Sequence, residues 1–101
     1  MYLVEILLPV SDNSGRPFDA TKYANVRELL TERFGGVTAF TRAPAHGSVE
    51  SQGTVVHDDI VVMEVMTDIL EADWWSDYRK RLEHDFDQDE IVIRASTITR
   101  L

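Results

Sequence analysis

The chain has 101 residues, 44% of them hydrophobic and 28% charged, which is the composition of one globular domain spanning 1–101. Ten basic against eighteen acidic residues leave a net charge of −8, which argues against nucleic acid and against anionic membrane surfaces. With no cysteine, disulfide scaffolds, thiol catalysis and cysteine-based metal sites are excluded.

Tyr2–Val10 reads as a strand, with Tyr2, Val4, Ile6 and Leu8 on one face and Leu3, Glu5 and Leu7 on the other. Pro9 marks its fading end, and Ser11–Pro17 has the chemistry of a loop. Asp19 then suits a helix N-cap, with Phe18 and Tyr23 placed as a hydrophobic staple. Tyr23, Val26, Leu30 and Phe34 form one apolar stripe, and Gly35-Gly36 ends the helix.

Val37–Arg42 reads as a second strand and Ala43–Gly53 as a long loop. Thr54–Thr67 contains a third strand whose centre, Ile60–Met66, is apolar on both faces except for Glu64. Such a strand belongs in the middle of a sheet. A second helix is expected from about Asp68 to Phe86, with Asp68 and Glu71 as a capping box. Ile91–Thr99 supplies a fourth strand.

The order β-α-β-β-α-β predicts an α+β, ferredoxin-like fold: a four-stranded antiparallel sheet of order 4-1-3-2 with both helices on one face. The helix-covered face would take Val4, Ile6, Leu8, Val37, Ala39, Val61, Met63, Val65, Ile91 and Ile93. The opposite face would carry Leu3, Leu7, Phe40, Val62, Met66 and Val92, where a solvent-facing sheet is ordinarily polar. A patch of that extent on a small domain calls for a cover, and the economical one is another copy of the chain.

The segments Phe34–Thr41 (FGGVTAFT) and Trp74–Ile93 (WWSDYRKRLEHDFDQDEIVI) resemble those of a small family of uncharacterised bacterial proteins. At the level of fold, the chain resembles the dimeric α/β-barrel superfamily. That resemblance implies a habit of pairing and a ligand cavity, without a specific activity.

Three groups of side chains are candidates for chemistry. Glu5, Glu64 and Arg94, with Arg42 nearby, fall on the open face of neighbouring strands. Two close carboxylates in an apolar setting raise one pKa and make a general acid or base. The same residues equally make an Arg–Glu network that fixes the register of a dimer. His46, His57, Asp58 and Asp59, at the same end of the sheet as Asp12 and Arg16, offer ligands for a divalent metal. No tight two-histidine spacing supports that role, so no metal and no cofactor are expected. Trp74, Trp75 and Tyr78 suit a flat ligand pocket or a core, and adjacent helix positions send one indole inward and the other to the margin.

The remaining signals are structural. Ser11, Ser14 and Ser48 belong to no catalytic spacing, the glycines make no phosphate loop, and Arg79-Lys80-Arg81 reads as a solvated helix face. No apolar run approaches a membrane span, and Met1–Glu5 lacks the basic start of a signal peptide, so a cytoplasmic protein is expected. The reading is a homodimer or higher homo-oligomer, non-catalytic or regulatory. The alternative is a small-molecule-binding protein or enzyme with a cavity near Glu5, Glu64 and Arg94.

Overall fold

The computed structural model describes residues 1–42, 50–51, 54–55 and 59–101. The elements are β1 (Tyr2–Pro9), α1 (Ala20–Phe34), β2 (Thr38–Arg42), β3 (Glu50–Ser51), β4 (Thr54–Val55), β5 (Ile60–Thr67), α2 (Ala72–Asp85) and β6 (Val92–Thr97). The main sheet is antiparallel with order β2-β5-β1-β6. Taking its four strands in chain order, this is the expected 4-1-3-2, and the fold is ferredoxin-like. Inside the segment read as one long loop and the start of the third strand, β3 and β4 pair as a separate two-stranded ribbon.

The core lies between the sheet and the helices. Val4, Ile6 and Leu8 of β1 and Met63 and Val65 of β5 meet Val26 and Leu30 of α1 and Trp75, Tyr78 and Leu82 of α2. Alternation along β1 and β5 sends these residues to one face, and the helical stripes supply the opposing surface. Ala39, opposite Met63, lies on the expected face but is exposed, because β2 is the outermost strand.

Both helices begin and end for local reasons. The Asp19 carboxylate accepts the N–H of Thr21, and Gly35 closes α1 at φ 81°, where its N–H reaches the Thr31 carbonyl. α2 starts later than expected, and its capping box is not made. Glu71 stands at the N-cap without a side-chain cap bond, since its carboxylate instead takes the Arg33 guanidinium at 2.6 Å. Residues Asp68–Glu71 therefore stay outside the helix, leaving Ile69 exposed.

Phe18 and Tyr23 do not simply staple to each other. Both rings pack on Phe86, at centroid distances of 5.1 and 5.7 Å. Phe86 thus joins the start of α1 to the end of α2. Trp75 is in the core and Trp74 at its margin, where the Arg33 guanidinium lies 4.1 Å from its ring centre.

Candidate functional site

Strand register sorts the open face of the sheet into rows. Val92, Leu7, Val62 and Phe40 align across all four strands. Val62 is only 1% exposed, while Phe40 and Val92 at the flanks are 42% and 43% exposed. The next row reads Arg94, Glu5, Glu64 and Thr38, and the one after it Ser96, Leu3 and Met66.

Glu5 and Glu64 are therefore direct cross-strand partners. Arg94 Nε donates to Glu5 Oε1 at 3.2 Å. The Arg94 side chain is 50% exposed and that of Glu5 21% exposed. The Glu64 carboxylate has no hydrogen bond or ion pair with another described residue. The three candidates do share a row, but none of the clefts found among the described residues is lined by all three. Glu64 borders a groove beside Phe34 and Met66, and Arg94 borders a shallow cleft between α2 and β6. A flat sheet face holds such residues side by side without enclosing a space between them.

A cleft of about 750 Å³ opens at the end of the sheet where β1 runs out. Its apolar floor is Leu7, Ile60 and Val92. Around this floor stand Asp12 and Asn13 from the loop after β1, Asp59 before β5, and Gln88 and Glu90 before β6. The loop after β1 is built by Asp12. Its Oδ1 accepts the N–H groups of Ser14 and Arg16, and the turn passes through Gly15 at φ 82°. Asn13 then donates to the Asp87 carbonyl at 3.2 Å, and Gln88 Nε2 approaches Asn13 Oδ1 at 3.5 Å. The two loops are clasped into one wall.

Of the residues expected to gather at this end, Asp12 and Asp59 line the cleft, while Arg16 is exposed. His46, His57 and Asp58 lie outside the described residues, as does the Arg42 side chain. Among the described residues no group of three or more His, Asp or Glu is placed to hold a metal ion. Asn13, Gln88 and Glu90 were not singled out from the sequence. Their only signal there was position, in loops that the topology brings to one end of the sheet.

Tyr78 and Glu83 are among the groups outside the cleft whose titration is shifted. Burial pushes the Tyr78 phenol up to about 12, so it stays protonated and inert as a base. Glu83 is held below the usual carboxylate range, chiefly by the backbone N–H of Ile91 at 2.9 Å and then by Arg79. It anchors the start of β6 to α2.

No known protein family matches the chain, and no curated protein matches its sequence. Solved structures do. A phage SAM lyase in complex with S-methyl-5'-thioadenosine superposes with a TM-score of 0.61 at 12% identity, covering 94% of this chain and 79% of that one. A phage SAM lyase in its apo state gives 0.60 at 11% identity, over 94% and 78%. At such identity the likeness shows a shared ferredoxin-like fold and assigns no family. Among the described residues no helix is long and apolar enough to cross a membrane.

Proposed function

We propose that this chain is a small-molecule-binding protein whose cleft at the end of β1 takes an adenine nucleoside carrying a 5'-thioether or sulfonium group. The observation that carries this reading is the cleft itself. Its volume of about 750 Å³ lies within the range of small-ligand sites, roughly 300–1,000 Å³, and it joins an apolar floor to a few convergent polar groups. The second N–H of the Asn13 amide remains as a donor and Gln88 Oε1 as an acceptor, the pair that a purine edge requires. Asp12, Asp59 and Glu90 offer acceptors for ribose hydroxyls and a negative field for a sulfonium. The ligand class comes from the structural neighbour, which is bound to S-methyl-5'-thioadenosine.

Calorimetric titration with S-methyl-5'-thioadenosine and with SAM tests the reading. Saturable binding, weakened by Gln88→Ala and by Glu90→Gln, supports it. Absence of binding to both at millimolar concentration defeats it. Chromatography of a SAM incubation then separates a binding protein from an enzyme, since only an enzyme releases S-methyl-5'-thioadenosine faster than a protein-free control.

A second reading, self-association as a homodimer or higher homo-oligomer, is favoured by the apolar row Val92–Leu7–Val62–Phe40 on the open face. Leu7 and Val92 belong to both the row and the cleft floor, so the two readings compete for them.

A further inference from the structure

The geometry points to a base-reading pair in the cleft: the amides of Asn13 and Gln88, held in one orientation by two backbone carbonyls, admit a 6-aminopurine and reject a 6-oxopurine. This inference rests on the nucleoside reading of the cleft and specifies which base it takes.

The orientation is set where α2 ends. Gln88 donates its backbone N–H to the Glu83 carbonyl at 2.9 Å, and Asp87 donates its own to the His84 carbonyl at 3.2 Å, with Asp87 in the left-handed region at φ 50°. These are the two closing bonds of a Schellman turn. The carbonyls of Phe86 and Asp87 lie beyond them and serve side chains instead. Gln88 Nε2 donates to the Phe86 carbonyl at 3.0 Å, and Asn13 Nδ2 donates to the Asp87 carbonyl at 3.2 Å. A carbonyl oxygen can only accept. Turning the Gln88 amide over sets Oε1 against the Phe86 carbonyl and toward Asn13 Oδ1, which lies 3.5 Å from Nε2. Turning the Asn13 amide over sets Oδ1 against the Asp87 carbonyl. Each reversal exchanges a hydrogen bond for a repulsion. The backbone behind both is firm: Phe86 is 1% exposed among Phe18 and Tyr23, and Asn13 sits in the turn that Asp12 closes.

The pair therefore has a fixed sense. Asn13 keeps its second amide N–H as a donor and Gln88 keeps Oε1 as an acceptor, both on residues that line the cleft. Adenine sets its N6 amino group, a donor, beside a ring-nitrogen acceptor on either edge. The amino group matches Gln88 Oε1, and the ring nitrogen matches the Asn13 N–H. A 6-oxopurine carries an acceptor at position 6, which meets Oε1 oxygen to oxygen whichever edge is presented. The apolar floor of Leu7, Ile60 and Val92 supports a flat ring without telling the two bases apart. Selectivity falls to the amides, and they cannot turn to suit the other base without giving up their backbone carbonyls.

Calorimetric titration of the natural chain with S-methyl-5'-thioadenosine and with its 6-oxo analogue, S-methyl-5'-thioinosine, reads the ratio of the two affinities. The adenine nucleoside should bind at least about tenfold more tightly, the discrimination that one matched donor–acceptor pair supplies. Gln88→Met keeps the length of the side chain and loses both amide functions, so it should bring the ratio to within about threefold of unity. A change that only loosens the wall weakens both nucleosides alike and leaves the ratio where it was. Asn13→Asp, with no N–H to offer, should weaken the adenine nucleoside at least about fivefold. Circular dichroism checks that each variant is folded, and the ratio for the natural chain needs no variant. Equal affinities, or a preference for the 6-oxo nucleoside, overturn the base-reading pair while leaving the cleft standing as a nucleoside site. A ratio unmoved by Gln88→Met, or an adenine nucleoside bound equally well after Asn13→Asp, overturns it too. Binding of neither nucleoside at millimolar concentration defeats the nucleoside reading itself, and this inference with it.

Discussion

Glu5 and Glu64 are paired Cα to Cα across the two central strands, and one arginine serves this pair of carboxylates from the side of Glu5. Like charges directly opposed on a sheet destabilise it. Arg94→Met should therefore cost the isolated domain stability. Because the Arg94 side chain is half exposed, water screens the pair and the cost stays near 0.5–1 kcal/mol. Adding Glu5→Gln should recover most of it. Urea denaturation of the two variants measures both steps.

The wall of the cleft gives a second expectation. Asn13→Ala removes the bond to the Asp87 carbonyl and the contact with Gln88. Loss of one such hydrogen bond costs about 1 kcal/mol of stability, so the midpoint of thermal unfolding should fall by about 4–8 °C. With the wall loosened, the Kd for S-methyl-5'-thioadenosine should rise as well. A fall in Tm with unchanged affinity contradicts the role given to this residue in the cleft.

Phe86 is the packing centre between the two helices, touching Phe18 and Tyr23 while 1% exposed. Phe86→Ala should cost about 3–5 kcal/mol. For a domain of this size that is a large share of total stability. Chemical denaturation should show a marked drop in midpoint, and the variant should be partly unfolded at physiological temperature.

Gly35 and Gly36 are adjacent yet should respond differently to alanine. A Cβ at either position meets nothing within 4 Å, so space is not at issue. Gly35 sits at φ 81°, where alanine is strained, and the substitution should cost about 1–2 kcal/mol. Gly36 does not, and Gly36→Ala should be neutral or slightly stabilising through the unfolded chain. Paired thermal melts provide the comparison.

Acid stability should depend on Glu83. Its folded-state pKa is depressed, chiefly by the Ile91 N–H, so its stabilising contribution is present above the ordinary carboxylate value and fades as pH falls through the lower, folded value. Glu83→Gln removes that contribution. The variant should be less stable than the natural chain at neutral pH and converge with it in strong acid. Denaturation midpoints from pH 7 down to pH 2 test the sign.

Much of this architecture was readable in advance because alternation is unambiguous where one face is buried. In β1, Val4, Ile6 and Leu8 could belong only to the core, and the apolar centre of β5 could only be an inner strand. The same alternation placed Glu5, Glu64 and Arg94 on one face, while their common row depended on a strand register that the sequence left open. The late start of α2 was not readable, because Glu71 had two uses, as a cap or as a partner for Arg33. A contact 38 residues away decided between them. The cleft was hidden for a related reason. Asn13, Gln88 and Glu90 carry no spacing signal and are brought together only when β1 and β6 pair.

The position of β5 has a consequence during synthesis. Both β1 and β2 make their hydrogen bonds to β5, and neither pairs with the other. As the chain leaves the ribosome, α1 can pack on β1, but the first two sheet strands emerge with no native strand partner until residue 60 and beyond follow. During that interval β1 carries an apolar segment, Leu3–Leu8, with both edges open, a state prone to mispairing and aggregation. The arrival of β5 ends it by capturing both strands together, so the sheet is assembled from its middle outward and only then receives β6 on its far side.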